Sequence, residues 1–195
     1  MTGPVKLLFA TNNQHKIDEI QSAVGDKLQV TGLKDAGINI DIPEPHHTLE
    51  KNASEKSSAI FALTGISCFS EDTGLEVDAL NGEPGVKSAR YAGTGSSDDN
   101  IKKLLNNLKN RSERTARFRT VISLMWNGSE YLFEGKCEGV IPEEPKGNGG
   151  FGYDAVFMPS GSTKTFAEMT LEEKNRFSHR KKAADQLVLF LQQHG

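Results

Sequence analysis

The run VKLLFA (residues 5–10) passes without a break into TNNQHKIDEIQSAVG (11–25), and this junction constrains the fold more than any other stretch. A short, mostly apolar run of this kind reads as a buried strand. Ile17, Ile20 and Val24 then recur at helical spacing, and Gly25 supplies a stop. A second helix is expected over 48–64, ended by Gly65, and the strand ISCFS (66–70) follows it. Strands and helices that alternate in this way predict an α/β architecture, with connections that cross over a sheet.

The middle of the chain changes character. After a helix near 97–109, with Ile101, Leu104, Leu105 and Leu108 on one face, ARFRTVISLMW (116–126) alternates and meets SEYLFEGKCEGVI through Asn127-Gly128. That dipeptide is a strong two-residue hairpin signal, so an antiparallel ribbon joins the sheet and a mixed sheet is expected. Near the end, Thr170 and Glu173 form a capping box, and a final helix turns Ala184, Leu187, Val188 and Leu191 inward.

Size and charge narrow the function classes. At 195 residues the chain can bury about 70% of its unfolded surface, so it needs neither disulfide nor metal to fold. No linker divides it, and one two-lobed domain is expected over 1–195. The 23 basic residues against 26 acidic ones argue against a polynucleotide groove, which needs a basic excess. Cys68 and Cys137 lie in separate apolar runs and read as buried, reduced thiols, consistent with a cytoplasmic protein. The apolar run near the start is too short for a signal peptide or a membrane span, and no membrane partner is expected.

Five stretches could carry chemistry. ATNNQHK sets small polar residues where a strand becomes a helix; the free N–H groups there favour an anion, and Lys16 adds a full charge. Glu71 and Asp72 are expected to follow directly on an apolar strand, with Thr73-Gly74 turning the chain; acids so placed can hold a hard cation or activate water. Glu44, stiffened between two prolines, is a candidate second metal carboxylate, whereas the neighbouring His46-His47 lacks a further ligand at zinc spacing. Phe151 and Tyr153 flank Gly152 in GNGGFGYDAVF (147–157), where glycines allow close approach of a flat ligand and an aromatic face can stack on a base. Lys174, Arg176, His179, Arg180, Lys181 and Lys182 form the densest basic segment; a solvated face accounts for Lys181 and Lys182, while the SHR break between helices can point side chains into a cleft. Each stretch alone also has a structural reading: a capped helix, two turn acids, a tight turn, a charged surface.

Taken in order, TNNQHK (11–16), SEDTG (70–74), GEPGVKSARYAG (82–93), GGFGYDAVF (149–157), FAEMTLEEKN (166–175) and SHR (178–180) closely resemble the inosine triphosphate pyrophosphatase family. The resemblance implies a two-lobed α/β fold with a long central mixed sheet flanked by helices and a nucleotide cleft between the lobes. It implies a cytosolic, Mg²⁺-dependent homodimer that hydrolyses deaminated purine nucleoside triphosphates (ITP, dITP, XTP) to the monophosphate and diphosphate. By the same resemblance Asp72 is the general base and a metal ligand, and Glu44 the other metal carboxylate. Thr11, Asn12, Asn13, Gln14, His15 and Lys16 match the triphosphate loop; Thr73, Phe151, Gly152, Tyr153, Asp154, Lys174, His179 and Arg180 match substrate-binding positions. Asn12 stands where the family often has glycine, and Glu71-Asp72-Thr73 where many relatives have Asp-Asp-Ser. Two other readings stay open at this point: a purine-nucleotide sensor without turnover, and a pyrophosphatase for modified pyrimidine nucleotides.

Overall fold

The computed structural model describes residues 5–194. Twelve regular elements follow one another: β1 (Val5–Phe9), α1 (Gln14–Val24), β2 (Leu28–Gly32), α2 (Leu49–Thr64), β3 (Cys68–Val77), β4 (Pro84–Gly85), α3 (Ser97–Asn107), β5 (Thr115–Trp126), β6 (Ser129–Val140), β7 (Met158–Pro159), α4 (Leu171–Asn175) and α5 (His179–His194). The chain gathers into two compact units. The first takes residues up to Asp72, Thr120–Gly135 and the chain from His179 on; the second takes Thr73–Arg119 and Lys136–Ser178. Strands β3, β5 and β6 each give one end to each unit.

In the first unit the strand order is β2-β1-β3-β5-β6. Parallel pairing sets Leu7 beside Val30 and Phe9 beside Phe69. Because successive side chains on a strand point to opposite faces, β1 feeds two cores. Leu7 and Phe9 join Phe69, Ile20 and Val24 of α1, and Ala184, Leu187 and Leu191 of α5 on one side. Leu8 and Ala10 join Cys68, Leu33 and Ile60 of α2 on the other. Phe9 and Phe69 stack with ring centres 4.4 Å apart, which locks β1 to β3 in register. This two-sided burial is why the opening run is apolar at consecutive positions.

The second unit has the order β4-β3-β5-β6-β7, with β4 antiparallel to β3 and β7 antiparallel to β6. Its core collects Leu75, Val77, Leu104, Leu108, Phe118, Phe157 and Phe166, with Phe118 set edge-on to Phe157 at 4.7 Å. The β5–β6 hairpin turns on Asn127 (φ 50°) and Gly128 (φ 81°), both left-handed, as a two-residue turn of matching twist requires.

The helix caps agree with the sequence. Asn13 caps α1, Thr48 caps α2 and Gly65 ends α2 in a left-handed conformation; Thr170 and Glu173 make the expected capping box. Cys68 and Cys137 are buried and form no disulfide among the described residues.

One local expectation is corrected. The strand does not stop at residue 70: β3 runs Cys68–Val77, so Glu71, Asp72, Thr73 and Gly74 are strand residues, with no turn at Thr73-Gly74. The glycine serves sheet pairing instead. A Cβ at Gly74 would sit 2.7 Å from the carbonyl oxygen of Gly85, the residue β4 brings alongside. The two acids therefore lie inside the sheet, where the strand's alternation separates them.

Candidate active site

Strand parity decides what each acid of β3 meets. Phe69 and Glu71 share one face, toward α1 and α5; Cys68, Ser70 and Asp72 share the other, toward α2, where Ser70 Oγ donates to the carbonyl of Ala53. Adjacent carboxylates thus enter different surroundings, and their ionisation diverges accordingly.

Glu71 has no side-chain exposure and accepts from Arg180 through Nε (2.7 Å) and Nη2 (3.0 Å), a bidentate pair, and from Lys16 Nζ at 3.0 Å. The other arm of Arg180, Nη1, donates to Glu19 of α1. Burial alone would raise the Glu71 pKa, but the Arg180 and Lys16 charges outweigh it and hold the carboxyl well below the usual range. A carboxylate so firmly ionised is a poor proton acceptor. Burial likewise works against the Arg180 charge, and Glu71 and Glu19 more than compensate. The first residues of α5 are therefore tied to β3 and α1 by buried ion pairs.

Asp72 lies among different partners. Asn52 Nδ2 donates to its Oδ2 at 3.1 Å, and Lys56 Nζ stands 4.0 Å from its Oδ1. Burial, the leading cause, raises its pKa; Lys56 pulls it back and the Glu44 charge pushes it up again. The net direction is upward, which is what a carboxylate needs in order to take a proton near neutral pH.

Glu44 reaches the same cation. From Ile38 to His46 the backbone alternates between half-buried and exposed positions, so Glu44 turns to the inner side with Ile38, Ile40 and Ile42. Its carboxylate accepts from Lys56 Nζ, and Asn52 clamps the segment by pairing with both the N–H (3.0 Å) and the C=O (3.3 Å) of His46. Among the described residues no three His, Cys, Asp or Glu side chains converge as a ready metal cage. Two carboxylates converging on one ammonium nevertheless suit a hard divalent ion, which takes one or two protein carboxylates and fills its remaining positions with water and phosphate oxygens. The residues fit that group.

The loop ahead of α1 is open. Thr11 Oγ1 accepts from Asn13 N–H (3.2 Å), and the Asn13 side chain accepts from Lys16 N–H (3.3 Å); Asn12, Asn13, Gln14 and His15 are exposed and Lys16 is half-buried. Asn12 is not among the residues with positive φ, so its side chain costs the loop no left-handed strain.

In the second unit GNGGFGYDAVF forms a wound turn. A Cβ at Gly147 would fall 2.5 Å from the carbonyl carbon of Ala167, and one at Gly150 would strike the Asp154 side chain. Close approach at these glycines is therefore to the protein's own chain. Asp154 is buried; it accepts the Phe151 N–H at 3.0 Å and Lys174 Nζ at 2.6 Å. Lys174 in turn lies 5.5 Å from the centre of the Phe151 ring and 5.0 Å from that of Phe166. Tyr153 is buried and donates its hydroxyl to the carbonyl of Ser88 at 2.9 Å, while Gly152 and Phe151 remain half-buried. Thr73 is half-buried on β3.

The basic segment divides as its composition suggested. Lys174, His179 and Arg180 are buried; Lys181 pairs with Asp185, and Arg176 and Lys182 are exposed. Sequence reading missed Glu19, Asn52 and Lys56. The signal was present: Leu49, Asn52, Ala53, Lys56, Ser57 and Ile60 are the buried stripe of α2, so two of its polar residues sit in helical register with apolar ones.

Comparison with known proteins finds relatives over nearly the whole chain. The Ham1 family profile matches residues 7–190. The chain is 49% identical over 185 residues to the dITP/XTP pyrophosphatase of Flavobacterium johnsoniae, covering 94% of this chain and 96% of that one. It is 50% identical over 188 residues to the dITP/XTP pyrophosphatase of Porphyromonas gingivalis, covering 95% and 97%. Among solved structures, the Ham1 protein of Staphylococcus aureus superimposes with a TM-score of 0.87 at 38% identity, covering 97% of this chain and 100% of that one. A HAM1 protein from Coxiella burnetii does so with the same TM-score at 35% identity, covering 97% and 99%.

Proposed function

This chain belongs to the Ham1 family, and from that premise we propose that it hydrolyses deaminated purine nucleoside triphosphates (ITP, dITP and XTP) to the monophosphate and diphosphate. The observation that carries the mechanism is the divergence of Glu71 and Asp72. One acid pairs with Arg180 and Lys16; its neighbour meets Asn52 and Lys56 instead, and burial pushes its pKa up.

Phosphoryl transfer asks little of a protein beyond positioning and charge neutralisation. Lys16, held by Glu71 at 3.0 Å, and the N–H groups at the start of α1 bind the triphosphate. Asp72 accepts a proton from the water that attacks the α-phosphorus, and the bond to the bridging oxygen breaks toward diphosphate. Glu44 and Asp72 would hold Mg²⁺, which would neutralise charge on the phosphates. Asn52 fixes the Asp72 carboxylate and the Glu44 segment together through its two amide functions.

The base is assigned to donors and an aromatic face. Phe151 offers the stacking ring, oriented through the hydrogen bond of its N–H to Asp154, and the same carboxylate steadies Lys174. A hydrogen-bond donor suits the 6-oxo acceptor of a deaminated purine. Adenine presents a 6-amino donor instead, and a mismatch of that kind discriminates by about 10⁴–10⁵. Tyr153 enters this scheme as core, not as a ligand contact. A homodimer and a cytoplasmic location complete the reading. Light scattering tests the first and cell fractionation the second.

The decisive experiment is diphosphate release from ITP, XTP, dTTP and ATP by purified protein, with and without Mg²⁺. Turnover of ITP and XTP, dependent on Mg²⁺ and far above that of ATP, is expected. Equal hydrolysis of ATP and ITP would sink the account of base choice. Tight ITP binding without turnover would make the protein a sensor.

A further inference from the structure

Lys56 is the least expected member of the site. It rises from α2 with its side chain about nine-tenths buried, and its ammonium meets three oxygens: a Glu44 carboxylate oxygen, the Glu71 carbonyl oxygen at 2.7 Å, and Asp72 Oδ1 at 4.0 Å. Two of these come from the carboxylates assigned to the metal, and all three are the hard donors that a divalent cation prefers. The ammonium thus occupies the position where the two carboxylates converge. Two cations cannot share that position, because like charges a few ångströms apart repel strongly where solvent screening is weak.

We propose that Lys56 is the resident cation of this site and that the divalent ion enters by displacing it. The inference rests on the metal reading given above and adds a constraint to it. Lys56 offsets the mutual repulsion of Glu44 and Asp72, and Lys16 adds a further positive charge acting on Asp72. A bare metal ion must therefore compete with a tethered ammonium that is always present. The displaced ammonium then needs a new anion, which the triphosphate supplies. Metal and nucleotide accordingly bind together, and the nucleotide-free protein binds metal weakly. Lys56 is a positioning residue in this sense, since it sets when the metal site is available.

The test is metal binding by nucleotide-free protein, read by electron paramagnetic resonance of Mn²⁺ and by calorimetry with Mg²⁺. Lys56→Met removes one positive charge from a site about 4 Å away, and should tighten Mn²⁺ binding at least about tenfold over wild type. Lys56→Gln, which keeps a polar head, should act in the same direction and stands in if the methionine variant fails to fold. Lys56→Arg keeps the charge and should bind as weakly as wild type. Mg²⁺ should also raise the melting temperature of Lys56→Gln more than that of wild type. Folded Lys56→Met and Lys56→Gln proteins that bind Mn²⁺ no more tightly than wild type, while Glu44→Gln and Asp72→Asn weaken binding, would overturn the inference and leave the metal assignment standing. Unchanged Mn²⁺ binding in Glu44→Gln and Asp72→Asn would overturn the metal assignment, and this inference with it.

Discussion

Replacing Glu71 and Asp72 by their amides, one at a time, should separate stability from catalysis between two adjacent residues. Glu71 accepts both Arg180 and Lys16 with no side-chain exposure. Glu71→Gln removes the charge that offsets two cations and leaves Arg180 with Glu19 as its one carboxylate partner among these contacts. Breaking a buried pair in this way costs about 3–5 kcal/mol, which for a chain of this size is a fall in melting temperature on the order of 10 °C. Asp72→Asn has the opposite profile. The folded protein raises the pKa of Asp72, so at neutral pH its ionised form is disfavoured by the fold, and removing the charge should leave the melting temperature unchanged or higher. Turnover of ITP should fall by about 10²–10⁴-fold, the scale of a lost general base. The assay is paired: diphosphate release at saturating ITP and Mg²⁺, and thermal melting of the same preparations in chelator. The reasoning fails if Asp72→Asn melts as low as Glu71→Gln, or if a fully folded Glu71→Gln loses as much turnover as Asp72→Asn.

Other consequences follow from the same contacts. Arg180 and Lys16 depress the Glu71 pKa against the upward pull of burial, so its stabilisation is present above the ordinary carboxylate value, about 4.3, and is lost as pH falls from there toward the folded value; the melting-temperature gap between wild type and Glu71→Gln should be flat from neutral pH down to about pH 5 and narrow below about pH 4. Asp154→Asn leaves Lys174 buried without its carboxylate and loosens the Phe151 turn; KM for ITP should rise more than kcat falls, and steady-state kinetics of the variant check it. Burial pushes the Cys68 thiol up to about 11, so at pH 8 native protein should resist iodoacetamide at this residue while urea-unfolded protein reacts, as peptide mass mapping would show.

Local structure was legible wherever short-range signals decide it. Thr48 and Gly65 bounded α2, Asn127-Gly128 fixed the hairpin, and the spacing of Ala184, Leu187, Val188 and Leu191 marked the buried face of α5. The split within the basic segment was legible too, since Lys181 and Lys182 fall on the outer side of a helix whose first residues are buried. The extent of β3 was not. Thr73-Gly74 carries the composition of a turn, and only the approach of Gly85 explains a glycine inside a strand at that point.

The sequence by itself determined the main helices, the first strand and the hairpin, the mixed α/β class, the acids and the family, because these rest on periodicity, capping chemistry and ordered motifs within reach along the chain. What only the tertiary structure decided is how charges are shared among them. Glu71 and Asp72 are neighbours in sequence, yet strand parity delivers one to Arg180 and Lys16 and the other to Asn52 and Lys56. Arg180 lies far along the chain from both its partners, and Lys56 reads as one more helical lysine until α2 is laid against β3. Electrostatic roles depend on distances through space and on burial, and neither is written in the order of the residues.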